Sequence, residues 1–228
     1  VGYLSNDFRS HPVGQLMAGL FAAHDRKVVE VIGYSYGRND GSVTRDRIAR
    51  GCDRFVDIRP LSPEDAARKI HDDGVDILVD LMGHTQSNRM AICAHRPGPV
   101  QVSYLGFPGT TGAGFFDYVL TDPILTPPEQ AHCYSEALVY LPHCYMVTDD
   151  RQPISRPFPR RTDEGLPDDA VVFCSFNSAH KIEPVIVDAW MRILRAVPGS
   201  VLWLPRRHDV AVRNLRRAEI GRASCRER

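Results

Sequence analysis

Within the stretch SNDFRSHPVGQLM, residues 5–17, a carboxylate, a guanidinium and an imidazole stand at positions 7, 9 and 11. So dense a polar cluster before a helix is either a capping loop or one wall of an active site. Asp7 reads as a loop carboxylate, Ser10 as a helix cap and His11 as a first-turn side chain, with Pro12 admitted at the helix start. A histidine there feels the positive end of the helix dipole, which favours neutral imidazole, a form able to accept a proton. A capped helix start with an exposed histidine accounts for the same residues, so both readings stand at this point.

Three further stretches have the same ambivalence. In GHTQSNR, residues 83–89, Gly83 permits a tight turn and His84 and Thr85 offer hydrogen bonds. Arg89 falls in a helix expected over about Ser87–Ala94, where its default role is a surface charge. LGFPGTTGAG, residues 105–114, spaces glycines at 106, 109, 112 and 114. Glycines give the close backbone approach and open N–H groups that sugar and phosphate sites need. The spacing is neither the dinucleotide GxGxxG nor a Walker loop. In SFNSAHKIEP, residues 175–184, Asn177, Ser178 and Lys181 precede a helix with Pro184 near its start, and a lysine beside helix N–H groups suits a diphosphate. Each stretch, taken alone, also fits an ordinary solvated loop.

The elements around them alternate. VGYLS, KVVEVIGYSY, RFVDIR, VDILVDL, PVQVSYLG and FFDYVLTD read as strands. PVGQLMAGLFAAH, SVTRDRIARGC (capped by Ser42) and SPEDAARKIHDDG (Ser62 then Pro63, closing on Gly74) read as helices. VDILVDL is apolar enough to be buried on both faces. This rhythm predicts an α/β fold, a parallel sheet covered by helices. The first three polar stretches then follow directly on strands, at the carboxyl edge where open sheets bind ligands. Residues 1–148 form the first domain in this reading and 149–168, rich in proline and charge, a linker. Residues 169–218 begin a second domain, with AVVFCSFN and SVLWLPR as strands around a helix striped by Val185, Ala189, Ile193 and Val197. EIGRASCRER, residues 219–228, has no apolar periodicity and is expected to be a non-native tail. The chain opens directly on a strand, so it is expected to be part of a longer reading frame.

Composition sets broad limits. Of 228 residues, 43% are hydrophobic, and 28 basic residues balance 28 acidic ones. Zero formal charge gives nothing that would draw the chain to nucleic acid or an anionic membrane, and no apolar run approaches the roughly 20 residues of a span. The six cysteines form no CxxC pair. Scattered cysteines suit a reducing, cytoplasmic compartment.

Together the motifs carry more than each alone. VGYLSNDFRSHPVGQLM, DILVDLMGHTQSNRM, RPGPVQVSYLGFPGTTGAGFFDYVLTD, YSEALVYLP and FCSFNSAHKIEP follow one another in an order that resembles the catalytic region of protein O-GlcNAc transferases, the family that includes the SPINDLY-type proteins of plants. The resemblance runs from Val1 to about Arg206. It implies a GT-B glycosyltransferase of two Rossmann-like domains facing across a cleft, usually behind tetratricopeptide repeats. It further implies inverting transfer of N-acetylglucosamine from UDP-GlcNAc to Ser or Thr hydroxyls of proteins, with no metal. By that likeness Asp7 and His11 are catalytic. Pro12, Leu105, Gly106, Pro108, His84, Thr85 and Arg89 lie against substrate. Lys181, Ser178 and Asn177 hold the donor diphosphate. Ser178 replaces a glutamine of the animal enzymes, Val13 a threonine, and His84 resembles the bacterial and plant branches. SPINDLY-type members transfer fucose, so a protein O-fucosyltransferase is one alternative and a catalytically silent interaction module another. Most of the second domain is not present, so the chain by itself is expected to be inactive.

Overall fold

The computed structural model describes residues 1–152, 158–206 and 208–220. The chain divides into two compact units, Val1–Pro153 and Ile154–Arg228.

The first unit alternates strand and helix. β1 (Gly2–Ser5) leads to α1 (Pro12–Met17) and α2 (Leu20–Ala23). β2 (Ile32–Ser35), α3 (Val43–Gly51), β3 (Arg54–Asp57), α4 (Pro63–Asp72), β4 (Ile77–Asp80) and α5 (Ala91–Ala94) follow. β5 (Val100–Ser103), β6 (Tyr118–Thr121) and β7 (Ala137–Tyr140) complete it. The strands form one sheet in the order β3-β2-β1-β4-β5-β6-β7, every pairing parallel. The order reverses between β1 and β4, the switch point at which open α/β sheets leave a crevice.

Alternation along each strand loads both faces of the sheet. Tyr3 and Val79 face a layer with Val13, Met17, Phe21 and Ile48, contributed by α1, α2 and α3. Leu4 and Leu78 face the other layer with Ala66, Ala67, Ile70 and Ile92, from α4 and α5. α3 and α4 start as their sequences dictate: Ser42 Oγ accepts from Arg45 N, and Ser62 Oγ from Asp65 N, with Pro63 in the first turn.

Several local expectations are corrected. The helix read over PVGQLMAGLFAAH is two short pieces, and Asp149 lies against the break, where a Cβ on Gly19 would come 2.7 Å from its Oδ1. The cap of α1 is His11 rather than Ser10: His11 Nδ1 lies 3.3 Å from Val13 N, while Ser10 N donates to Asp40. The helix expected over Ser87–Ala94 shrinks to α5, because Ser87 takes φ +64° and the Asn88 amide bonds to Thr85 O. Of KVVEVIGYSY only Ile32–Ser35 pairs, since Val28 and Val29 close a turn on Asp25. The strand β7 is an addition to the elements read from the sequence. The stretch read as a linker from residue 149 begins inside the first unit: Asp149 is paired with Arg47, and the Gln152 side chain donates to Gln15 O.

In the second unit β8 (Val172–Cys174) and β9 (Val201–Trp203) pair in parallel around α6 (Pro184–Ala196), and α7 (Asp209–Ile220) follows. α6 buries Val187 and Met191, whereas Val185 and Ile193 of the expected stripe are exposed. The inward stripe is thus offset by two residues. Residues 219 and 220 continue α7, and 221–228 of the expected tail lie outside the described residues.

Candidate active site

The three polar stretches of the first unit leave the carboxyl ends of β1, β4 and β5, which are neighbours in the sheet. Adjacency of strands 1, 4 and 5 is what brings together residues up to a hundred positions apart in sequence.

The loop after β1 is wound tightly. Arg9 N donates to Asp7 O and His11 N to Arg9 O, both at 2.7 Å, so two successive three-residue turns stack Asp7, Arg9 and His11 on one side. Gly14 lets α1 close against them: a Cβ there would meet Asp7 O at 2.6 Å. Asp7 is buried and accepts from Asn6 Nδ2 at 3.0 Å and Arg9 Nη2 at 3.1 Å. Its other oxygen, Oδ2, lies 3.2 Å from His11 Nδ1. The same nitrogen lies 3.3 Å from Val13 N. One ring nitrogen cannot serve both contacts at once. With the proton on Nδ1 it donates to Asp7, and Nε2 presents a lone pair; with the proton on Nε2 it caps α1 instead. From beneath, the buried Arg45 guanidinium donates to Phe8 O at 3.0 Å and Ser35 Oγ at 2.9 Å and lies over the Phe55 ring.

The loop after β4 hangs on Asp80. This carboxyl is buried at the last position of the strand, and Gly83 N donates to its Oδ2 at 2.7 Å. Burial pushes its pKa up to about 7, against the lowering effect of N–H groups from Gly83 and Met82. The turn presents His84, whose Nε2 lies 2.8 Å from Thr111 O and whose ring meets Phe107 edge-on. His84 therefore joins the glycine-rich loop. Thr85 turns inward and donates to Met82 O at 2.9 Å. Arg89 precedes α5 and donates to Ile58 O at 3.1 Å and Leu61 O at 2.6 Å, with its guanidinium over Tyr36. It is neither the surface charge nor the free cation that its type suggests: it ties the β3 exit to the β4 loop.

The glycine-rich loop begins on a strained turn. Leu105 is buried at φ +68°, and Gly106 N donates across it to Tyr104 O at 2.8 Å. A left-handed conformation costs a residue with a Cβ roughly 1–2 kcal/mol. Gly106 packs directly under the Leu81 carbonyl, where any Cβ would overlap it. Pro108 is exposed and its carbonyl accepts from Tyr134 Oη at 3.2 Å. Thus the structure joins Asp7 to His11 and His84 to the loop of Leu105, Gly106 and Pro108. No hydrogen bond or ion pair joins the two groups among the described residues.

In the second unit Lys181 ends a short 3-10 turn, Ala179–Lys181, just before α6, and Asn177 and Ser178 lead into it. Lys181 and Asn177 are exposed and Ser178 is half-buried. Residues missed by sequence reasoning are mostly those that hold the loops: Arg45, Asp80, Glu136 and Tyr145. An acid closing the apolar run VDILVDL was the one available signal, for Asp80.

A doubly wound parallel sheet with polar loops at its switch point defines a Rossmann-like α/β protein of the kind that binds nucleotide-bearing ligands. The chain belongs to glycosyl transferase family 41, whose profile matches residues 1–157 and 153–223. It is 45% identical, over 213 residues and 90% of its length, to the probable UDP-N-acetylglucosamine–peptide N-acetylglucosaminyltransferase SEC of Arabidopsis thaliana. It is 35% identical over 205 residues to the SPINDLY protein of the same plant, which carries the same probable activity in its name, and this match covers 89% of the chain. Among solved structures it superposes on a mutant O-GlcNAc transferase of Thermobaculum terrenum with TM-score 0.81 and 36% identity, covering 97% of this chain and 42% of that one. The fold class is therefore that of these GT-B transferases. The chain spans 22% of the length of the SEC and SPINDLY relatives.

Proposed function

We propose that the protein carrying this chain transfers N-acetylglucosamine from UDP-GlcNAc to Ser or Thr hydroxyls of protein acceptors, with inversion. The observation that carries this reading is the Asp7–His11 contact at the sheet's switch point, in a chain whose relatives are named as peptide N-acetylglucosaminyltransferases. Asp7 accepts a hydrogen bond from the Nδ1–H of His11 and stays ionised, and Nε2 takes the proton of the acceptor hydroxyl as its oxygen attacks the anomeric carbon. The bond to the diphosphate oxygen breaks as the new bond forms, and UDP leaves. Lys181, with Ser178 and Asn177 before it, is assigned to the departing diphosphate, its positive charge offsetting the charge that develops there. No metal is assigned a role. Leu105, Gly106 and Pro108 are assigned to the sugar, and Pro12, beside His11, to the acceptor side. Arg89, Thr85 and His84 act by holding the loops. The protein works in the cytoplasm, with tetratricopeptide repeats upstream in the same chain.

The full-length protein, given UDP-GlcNAc and GDP-fucose side by side with peptide acceptors and read by mass, tests this. A GlcNAc increment on Ser or Thr, undiminished by EDTA, is the expected result. A fucose increment moves the protein to the SPINDLY-type alternative, and the absence of both increments overturns the transferase reading.

A further inference from the structure

The glycine-rich loop is gripped at both ends by side chains that lie outside it. At its start the Tyr145 hydroxyl donates to Leu105 O at 2.5 Å. Tyr145 is buried, and its own backbone is fixed: its N–H donates to Asp122 Oδ2 at 2.5 Å, and its carbonyl accepts from Tyr104 Oη at 2.8 Å. At the other end the buried Glu136 carboxylate accepts from Thr110 Oγ1 and Thr111 N, both at 2.7 Å, and from Thr111 Oγ1. Burial works to raise the Glu136 pKa, but the hydrogen bonds from Thr111 and Thr110 outweigh it and hold the carboxyl below its ordinary value. It therefore acts as an ionised, acceptor-only group through the neutral range. His84 adds a contact to Thr111 O at 2.8 Å.

A strained backbone persists only where its surroundings over-determine it, and such strain gathers where a site must be preorganised. Leu105 is one of the few non-glycine residues with positive φ among those described. Its peptide is pinned by Tyr145 from one side and by the Gly106–Leu81 approach from the other. We propose that Tyr145 and Glu136 are positioning residues for the donor sugar, clamping residues 105–111 in the one conformation that binds it. The inference rests on the transferase reading above for the identity of the ligand, while the clamp itself is a property of the fold.

The test uses the full-length protein with Tyr145→Phe, which deletes only the hydroxyl, and Glu136→Gln, which keeps the shape but presents a donor where Thr110 needs an acceptor. Initial rates are measured against UDP-GlcNAc and, separately, against peptide acceptor. Hydrogen–deuterium exchange is followed at the Gly106 and Thr111 amides. Loss of one net hydrogen bond predicts a donor KM raised roughly three- to tenfold, with acceptor KM unchanged and amide exchange at Gly106 or Thr111 faster by a similar factor. A donor KM equal to the wild type's in both variants, or a rise in acceptor KM instead, overturns the proposal. If the wild-type protein transfers no sugar, the transferase reading fails separately, and exchange still decides the clamp: unchanged exchange refutes it and faster exchange supports it. Should Glu136→Gln lower the folded fraction, Tyr145→Phe decides alone.

Discussion

Asp80→Asn is a perturbation whose effect on stability changes with pH in a calculable way. The Asp80 carboxyl is buried at the end of β4, and burial lifts its pKa from 3.8 to about 7. The folded state therefore keeps a proton that the unfolded chain releases near pH 4. A carboxyl with a raised folded pKa contributes its full stability below the unfolded value. That contribution is lost progressively as pH rises through the folded value, and above about pH 8 nothing further is lost. Each pH unit in that window is about 1.4 kcal/mol, so from pH 5 to pH 7 wild-type stability falls by roughly 2–3 kcal/mol on account of this group. The substituted amide resembles the protonated acid: its carbonyl oxygen still accepts from Gly83 N, and it cannot ionise. The variant should match or trail the wild type at pH 5 and gain on it by that amount by pH 7, with the gain levelling off by about pH 8. Urea unfolding followed by far-UV circular dichroism at each pH reads the difference directly. A stability difference between the two proteins that stays flat from pH 5 to pH 8 refutes the reasoning, because it would mean that Asp80 ionises alike in the folded and unfolded chain.

Other expectations follow from single contacts. Gly106→Ala drives a Cβ into the Leu81 backbone and should destabilise the first unit by about 2–3 kcal/mol, whereas Gly114→Ala enters open space and should stay within about 0.5 kcal/mol; equal midpoints in thermal unfolding would contradict the pair. Lys181→Ala in the full-length protein should lower donor turnover on the order of a hundredfold, and unchanged turnover removes Lys181 from the diphosphate. His11→Ala should suppress transfer by roughly a hundredfold or more, with circular dichroism unchanged, and retained transfer dismisses it as the base. Arg89→Met strips two carbonyls of their donor and should cost about 2 kcal/mol of stability without a change in donor KM per folded molecule; a donor KM that rises would restore Arg89 to the substrate.

How far these features were legible in the sequence depended on which physical rule governed each. The strand order itself is not written locally, but the βαβ rhythm and the right-handed crossover leave few ways to lay parallel strands, and the polar stretches after β1, β4 and β5 could be placed at one edge. Helix starts with strong local chemistry are legible, as at Ser42 and at Ser62-Pro63. The failures came where tertiary contacts compete with propensity. Asp149, far along the chain, sits at the break between α1 and α2. Asn88 redirects the backbone before α5. α6 turns Val187 and Met191 inward although Val185 and Ile193 make an equally apolar stripe, because the stripe's period fixes a face and only the packing partner selects which one.

The same division runs through the candidate site. The residues assigned to the chemistry, Asp7, His11 and Lys181, stood out because their types are conspicuous and their loops follow strands. The residues that hold them did not. Arg45 has the type of a surface cation yet is buried under Phe8. Glu136 lies in the apolar-looking YSEALVYLP, and nothing local says that its carboxylate crosses to Thr110 and Thr111. Tyr145 follows a strand that was itself unforeseen. A buried polar side chain is stable only where its partners wait for it, and those partners are a property of the assembled sheet. Leu105 shows the consequence most clearly. Its left-handed turn is a local cost; besides the local Gly106 N–Tyr104 O bond, its carbonyl is held by Tyr145 across 40 residues of sequence. The loop's shape is therefore specified by a residue that is not in the loop. Substitutions at Tyr145 and Glu136 should accordingly be read as changes to the site as much as substitutions within the glycines themselves.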